Sequence, residues 1–196
     1  MFLDKNAATE SAKVQVDAIF PNHQLLDYEF LSFPIAGIPL KTISPGTLDN
    51  RFYTYTEATS NYHSLNPHTT LTKQGSGYQI RVPNNFPTTV SDWNISINNF
   101  SGGSFRAGIV RVNATKNGQG FNLVGNPYLA GINSSIFLKK NSDVILKKMD
   151  FWRKTNGAQG LIYYFSNGIT NHINSNLTFI KHYSGFMIRR TSTTFP

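Results

Sequence analysis

An internal repeat constrains the fold of this chain more than any other feature of its sequence. Residues 28–34 (Tyr-Glu-Phe-Leu-Ser-Phe-Pro) recur as residues 121–127 (Phe-Asn-Leu-Val-Gly-Asn-Pro), and Ala-Gly-Ile follows soon after each copy. Residues 76–81 (Ser-Gly-Tyr-Gln-Ile-Arg) recur as residues 184–189 (Ser-Gly-Phe-Met-Ile-Arg). Short patterns of this kind also recur by chance in β proteins, but two matches in the same order favour a duplication. We therefore predict two related units that pack together.

The repeated positions favour a scaffold over an enzyme, because they hold turn formers and core aromatics rather than an acid, base or nucleophile. Between the two matches, residues 51–53 (Arg-Phe-Tyr) correspond to residues 150–152 (Asp-Phe-Trp). Each unit closes with a glycine before an aromatic residue, at Gly77 and Gly185. A glycine inside a strand allows a second backbone to approach closely or a bulge to form, and we expect one of these here.

Short alternating stretches separated by turn residues predict an all-β chain. Residues 13–18 alternate strictly between polar and apolar, which is typical of a half-buried strand. Pairs such as Asn117-Gly118 supply the positive φ that hairpins and loops require. Further strands are predicted at residues 27–33, 51–56, 78–82, 93–97, 105–112, 121–124, 144–149, 161–165, 177–180 and 186–189. This spacing predicts a β-sandwich, either jelly-roll-like or made of two packed related β units.

Helix is predicted to be a minor component, with at most one or two short helices. Asn133 precedes residues 134–140, where it can cap a helix of about two turns. The polar residues 1–11 are predicted to be a flexible lead-in. We place the first β unit at residues 12–115 and the second, related unit at residues 116–196, packed with the first as one domain.

The first residues and the hydropathy of the chain indicate neither a signal peptide nor a membrane-spanning segment. Residues 1–6 lack the basic start and apolar run of a signal peptide, so an exported parent would contain this chain as an excised piece. No stretch approaches the roughly 18 apolar residues that cross a membrane, and we expect no membrane insertion. The sequence contains 0 Cys, which excludes disulfides and thiol-based sites.

Charge is distributed unevenly along the chain. Residues 1–100 hold 6 Lys+Arg against 8 Asp+Glu, whereas residues 101–196 hold 12 against 2, so the net charges are −2 and +10. Paired basic residues in the second half can form a surface that attracts polyanions, or they can be separate solvated side chains. Charge alone leaves both interpretations open.

No catalytic residue, metal site or cofactor is predicted. A glycosidase needs two carboxylates about 5 to 10 Å apart, and we expect Asp49, Glu57 and Asp92 to be turn or surface residues instead. The sequence contains no Gly-x-Ser-x-Gly nucleophile motif. The spacings of His63 with His68, and of the later histidine pair, match no familiar zinc motif.

One group of residues is a candidate ligand-binding site. Exposed flat aromatics stack on sugar rings, and the second half brings Trp and Tyr close to basic residues in sequence. The candidate residues are Trp152, Arg153, Lys154, Tyr163 and Tyr164. The alternative is that Trp152 anchors the core, as Trp on an alternating strand commonly does, and we expect that role for Trp93.

The sequence resembles a module of large secreted and surface proteins of Bacteroidota, found next to the sorting domain of the type IX secretion system. Residues 120–128 (Gly-Phe-Asn-Leu-Val-Gly-Asn-Pro-Tyr) are similar to the signature of that module, and the resemblance spans roughly residues 12–190. It implies an extracellular or outer-surface location, a multi-domain parent, and no established catalytic activity for this part. The implied partners are other domains of the larger surface protein. As further candidate partners we predict polysaccharide or another surface protein.

Three functions follow as hypotheses. The first is a non-catalytic structural or adhesive β module, and the second is a carbohydrate- or polyanion-binding module. The third is a self-assembling surface or filament subunit whose acidic-leaning first half meets the basic second half of a neighbour. Nucleic acid is not an expected partner.

Overall fold

The structure is a computed structural model that describes residues 16–97, 104–105, 108–155, 158–165 and 179–191. For residues 153–155 and 158–165, the structure describes the backbone strands but not the side chains. The strands are β1 (Val16–His23), β2 (Tyr28–Ser32), β3 (Ile35–Ala36), β4 (Phe52–Thr56), β5 (Asn61–Ser64), β6 (Gly77–Arg81), β7 (Ser91–Ile97), β8 (Ser104–Phe105), β9 (Phe121–Gly125), β10 (Ile132–Asn133), β11 (Ile145–Thr155), β12 (Ala158–Phe165), β13 (Phe179–Ile180) and β14 (Gly185–Arg190). The helices are α1 (Leu40–Ile43) and α2 (Ser134–Lys140), with short 3-10 turns at Asp49–Arg51 and Glu57–Thr59. The predicted all-β, sandwich-like class with short helices is confirmed.

Two antiparallel four-stranded sheets have the same strand order. The first runs β2-β6-β4-β5 and the second runs β9-β14-β11-β12. The strands that carry the two longer matches pair in the same register, since Tyr28 lies opposite Arg81 and Phe121 lies opposite Arg189. The match of residues 51–53 with residues 150–152 was wrong by two positions, because Phe52 lies opposite Ile80 whereas Met149 lies opposite Ile188. The sequence repeat therefore corresponds to a repeated sheet topology. The boundary that we placed between residues 115 and 116 stays a prediction.

The two sheets are joined by a reciprocal pair of contacts. Single antiparallel bridges connect Leu31 with Ser184 and Ser76 with Val124. The Ser32 N–H donates to the carbonyl of Tyr183 at 2.9 Å, and the Gly125 N–H donates to the carbonyl of Gly75 at 3.0 Å. In the repeat alignment each of these contacts is the counterpart of the other. The units therefore contact each other through equivalent backbone positions.

Glycine makes this close contact possible. A Cβ on Gly77 would lie 2.7 Å from the carbonyl oxygen of Val124, and one on Gly185 would lie 2.8 Å from that of Leu31. Both distances are shorter than real Cβ contacts, so neither strand could approach its neighbour with a larger residue. The predicted role of the two closing glycines, close backbone approach, is confirmed.

Each sheet has its own core on its outer face. In the first unit, Trp93 of β7, which is 2% exposed, belongs to the same buried cluster as Phe33, Phe52 and Ile80 of the sheet side. The predicted core role of Trp93 is confirmed. In the second unit, Val124, Phe186 and Ile188 pack with side chains from α2. A smaller cluster between the sheets contains Phe30, Leu123 and Met187.

Helix α2 begins where the sequence predicted it. The side chain of Asn133 accepts a hydrogen bond from the Ile136 N–H at 2.9 Å, which satisfies one of the free donors of the first turn. The basic residues Lys139 and Lys140 lie in the last turn, where they interact favourably with the helix dipole. The helix has seven residues, as expected for two turns.

The strand predicted at residues 105–112 was wrong for most of its length. Strand β8 ends at Phe105, and the described residues 108–114 are not assigned to a strand. Side chains take the place of a neighbouring strand here, because the Val110 N–H donates to the Tyr128 hydroxyl at 3.3 Å. The Ala114 carbonyl likewise accepts from the Arg190 side chain. Alternating apolar residues predict burial of one face, but they do not supply a strand partner.

Candidate functional site

A cleft opens between the two sheets at the edge of the small central cluster. Its volume is about 320 Å³. Its lining residues are Phe30, Tyr55, Ser60, Tyr62, Gln119, Phe121, Lys148, Asp150, Trp152 and Met187. We call this the inter-sheet cleft. Both units contribute to it, so it exists only because the units pack together.

Five of the ten residues that line the cleft are aromatic. The ring centroids of Phe30 and Trp152 are 6.0 Å apart, and those of Phe30 and Tyr62 are 6.4 Å apart. Tyr55 packs edge-on against Tyr62 at 5.3 Å and 75°. Burial, together with the neighbouring Tyr55, raises the pKa of Tyr62 to about 12. The Tyr62 hydroxyl therefore stays neutral at physiological pH and can donate a hydrogen bond.

A charged pair lies beside these rings. Lys148, Asp150 and Trp152 alternate along β11, so they share one face of the strand. The Lys148 ammonium is 2.9 Å from the Asp150 carboxylate, and only 10% of the Asp150 side chain is exposed. Burial raises the pKa of Asp150, although its hydrogen bond with Lys148 opposes this shift. The cleft therefore contains a cation and an anion that largely neutralise each other.

Trp152 carries an unpaired donor. Its indole Nε1 is buried, and no residue in the described part of the chain accepts a hydrogen bond from it. A buried donor without a partner costs about 1–3 kcal/mol. An unsatisfied group of this kind in a native structure calls for an explanation, and a functional role is one of the usual ones.

Of the five predicted site residues, the structure brings Trp152 into the cleft. Arg153 and Lys154 continue strand β11, opposite Gly160 and Gln159. Tyr163 pairs with Asp150 and Tyr164 pairs with Met149 across β11 and β12. These four side chains lie outside what the structure describes, so their part in the site stays a prediction. Both earlier interpretations of Trp152 apply in part, since it is partly buried against Phe30 and also lines the cleft.

Sequence reasoning missed the partners of Trp152 from the first unit. Tyr55 and Tyr62 face each other across the pair β4–β5. The strand β5 is mostly exposed and polar, so its sequence shows no apolar alternation. One signal was available, because the repeat aligns Trp152 with Tyr53 and thereby places Tyr55 on the same strand face as the counterpart of Trp152.

The expectation that Glu57 is a turn or surface residue is confirmed for the turn, but the side chain does not lie at the surface. It lies in a 3-10 turn but is only 4% exposed. Its carboxylate accepts backbone N–H bonds from Asn117 and Gly118 at 2.7 Å and from Gly120 at 2.8 Å. These hydrogen bonds hold the pKa of Glu57 below its ordinary value, and the bond from Asn117 has the largest effect. Burial opposes the shift. Glu57 thus fixes the loop that carries Gln119 to the rim of the cleft. The positive φ predicted at Asn117-Gly118 was wrong, because the positive φ of this loop lies at Gly120.

Two further findings concern the described residues. Within that part of the chain, no three His, Asp or Glu side chains are grouped as a metal ion would require. No helix there combines the length and the apolar character needed to cross a membrane.

The fold and the cleft define an all-β, sandwich-like protein of two matching antiparallel sheets, with an aromatic cleft at their junction. A family model described as "Domain of unknown function (DUF8693)" matches residues 2–191. The chain therefore belongs to the DUF8693 family. No curated protein matches it, and no solved structure does.

Proposed function

We propose that the chain is a non-catalytic adhesive module of an exported bacterial protein, and that it adheres by binding carbohydrate in the inter-sheet cleft. The observation that carries this proposal is the position of Trp152 beside Phe30, Tyr55 and Tyr62 next to a charged pair. Ligand sites are commonly lined by aromatic side chains with a few placed polar groups. Ring faces pack on the apolar faces of sugars, while the polar groups bind their hydroxyls.

The polar groups of the cleft suit hydroxyl groups better than they suit anions. Lys148 already pairs with Asp150 at 2.9 Å, so it presents little net positive charge. The two side chains together offer a donor and an acceptor to a sugar. We therefore propose a neutral carbohydrate rather than a polyanion.

The composition of the cleft also supports a non-catalytic role. Hydrolysis of a glycosidic bond requires a pair of carboxylates flanking that bond. Among the described residues that line the cleft, Asp150 is the one carboxylate, and it is held by Lys148. This lining supports binding of a sugar but provides no acid and base pair for its cleavage.

The location and the source of the protein are proposed from the resemblance to Bacteroidota modules that accompany type IX sorting domains. The structure gives the signature residues a structural role that a framework module would need. The Asn126 amide donates to the carbonyls of Ala130, Ile180 and Lys181 at 2.8, 3.0 and 3.2 Å. Asn126 is fully buried, so it ties the turn after β9 to the segment that leads into β14.

Tryptophan fluorescence tests the proposal directly. The chain has 2 Trp, and Trp93 is 2% exposed, so a response to added ligand reports on Trp152. We would titrate the protein with neutral polysaccharides, acidic polysaccharides and DNA at low and high salt. The expected result is a saturable response to one neutral glycan class that salt leaves almost unchanged. A response to polyanions alone, weakened by salt, would contradict the neutral-carbohydrate proposal.

Matched variants separate the cleft from the rest of the surface. Tyr55 lines the cleft, whereas Tyr53 on the same strand does not. Tyr55→Ala is expected to weaken glycan binding, and Tyr53→Ala is expected to leave it unchanged. Silence across the whole panel would refute carbohydrate binding and favour a purely structural module.

A further inference from the structure

A second concavity lies on the outer face of the second sheet, between helix α2 and the extended segment 109–114. Its volume is about 520 Å³, within the range of about 300–1,000 Å³ that is typical of small-molecule sites. We call it the α2 groove. Apolar side chains from both walls and from the sheet line it, among them Ile109, Val112, Val124, Ile136, Phe186 and Ile188.

Large apolar side chains are exposed on both walls of this groove. Ile109 is 79% exposed and Val112 is 44% exposed on the segment wall, and Ile136 is 58% exposed on the helix wall. Single exposed apolar residues are ordinary, but several along one concave surface mark an interaction site. The apolar part of a ligand would therefore be enclosed between two walls rather than lie on a flat patch.

The polar side chains of the groove are already used, with one exception. The Asn133 side chain caps α2, the Asn141 amide donates to the Phe137 carbonyl at 2.7 Å, and the Tyr128 hydroxyl donates to the Gly108 carbonyl at 2.7 Å. Lys140 lines the groove at the C-terminal end of α2 and is exposed. Among the described residues, no carboxylate lies within ion-pair distance of its ammonium. The groove thus combines an apolar channel with one available cation.

We propose that the α2 groove binds a fatty acid, with the acyl chain along the apolar walls and the carboxylate paired with Lys140. An acyl chain carries no N–H or C=O groups that this mostly apolar lining would have to satisfy. A bilayer surface would meet a convex patch more readily than a groove between two walls. This site is separate from the inter-sheet cleft and does not depend on carbohydrate binding.

Calorimetric titration with dodecanoate tests the proposal, with dodecanol and dodecyltrimethylammonium as probes of the same chain length. We expect saturable binding of dodecanoate, weaker binding of dodecanol, and still weaker binding of the cationic probe. Lys140→Glu is expected to weaken dodecanoate about five- to tenfold and to leave dodecanol almost unchanged. Lys139→Glu is the matched control, because Lys139 is also exposed in the last turn of α2 but does not line the groove.

Ile109→Ser provides a second test on the opposite wall, where an exposed side chain can change without damage to the core. It should weaken dodecanoate and dodecanol alike, while the thermal melting temperature stays that of the parent protein. Equal effects of Lys139→Glu and Lys140→Glu would overturn the proposal. An absence of saturable dodecanoate binding would also overturn the proposal. This includes the case in which the protein binds only anionic phospholipid vesicles or only a second copy of itself. Trp152→Ala should leave dodecanoate binding intact, so failure of the cleft proposal and failure of this one are distinguishable.

Discussion

Gly125 lies where the two sheets are closest, and replacing it with alanine should destabilise the whole protein. The added Cβ would overlap the Cβ of Ser32, and it would lie 2.5 Å from the Ser32 Oγ and 2.9 Å from the carbonyl oxygen of Ser184. Ser184 also belongs to one of the two bridges between the sheets. The strands can make room only by weakening those bridges, because the conflict involves backbone as well as side chain.

The size of the effect follows from overpacking. Extra methyl groups in a packed interior cost about 1–3 kcal/mol, and a rigid backbone neighbour places Gly125→Ala near 3 kcal/mol. For a chain of this length, about 2–4 °C of melting temperature is lost per kcal/mol, so we expect a decrease of about 6–12 °C. Thermal melts followed by circular dichroism measure this decrease. Gly131→Ala is the control, because its nearest contact, the Phe179 Cβ at 3.3 Å, can shift slightly.

A second substitution identifies the cause of the loss. Ser32→Gly alone removes the hydrogen bond from the Ser32 hydroxyl to the Asn126 carbonyl and introduces a glycine into a strand, at a total cost of about 2 kcal/mol. If the two changes were independent, the double variant would lose about 5 kcal/mol. Because Ser32→Gly vacates the space that the new methyl group needs, we expect the double variant to lose only about 3 kcal/mol. Additive losses, or a Gly125→Ala variant that melts with the parent protein, would refute the proposed packing.

Three further predictions concern buried polar groups. The pKa of Glu57 is lowered mainly by its hydrogen bond from the Asn117 N–H. The contribution of Glu57 to folding stability is therefore present above its ordinary pKa of 4.5 and is lost as pH falls through the lowered pKa. In thermal melts, the melting temperature should therefore decrease more steeply with falling pH for the parent protein than for Glu57→Gln. Identical decreases would contradict this role of Glu57. Burial lowers the pKa of His23, but the hydrogen bond and ion pair with Glu29 outweigh burial, so the pKa is raised. The contribution of His23 to folding stability is therefore full below the ordinary pKa of 6.5 and is lost as pH rises through the raised pKa. His23→Gln should flatten that alkaline decline, and a decline of unchanged steepness would argue against the pair. Asn126→Asp keeps the shape of the side chain but removes its amide donors, so urea denaturation should show a loss of about 2–3 kcal/mol; stability equal to the parent would show that the three carbonyl contacts contribute little.

The repeat predicted more of the fold than the strand patterns did. Matching residues such as Tyr28 and Phe121 occupy equivalent pairing positions, because the register of each strand pair is set by the same alternation of core residues. The pattern failed at residues 105–112, where apolar alternation exists without a strand partner. It also missed β5, an exposed edge strand whose polar sequence carries no burial signal.

The cleft could be predicted only in part, because its residues come from both units. Trp152 was identified from its residue type and its neighbours, but Tyr55 and Tyr62 reach it only through the packing of one sheet against the other. The burial of Glu57 was not predicted, for a related reason. Its partners lie about 60 positions further along the chain and are backbone N–H groups, which no side-chain motif reveals. Local patterns predict elements well, whereas contacts between units require the assembled fold.

The equivalent faces of the two sheets are used differently. In the first unit, Leu31 and Ile80 are buried in one cluster with side chains of β1 and β7, whereas their counterparts Val124 and Ile188, although also buried, line the α2 groove. In a homodimer of one such unit, the same surface of each subunit would contact its partner across a two-fold axis. Every substitution would then occur in both subunits. Linking both units in one polypeptide removes that constraint. One copy can be closed to build stability while the other keeps an open surface, and natural selection can act on each independently.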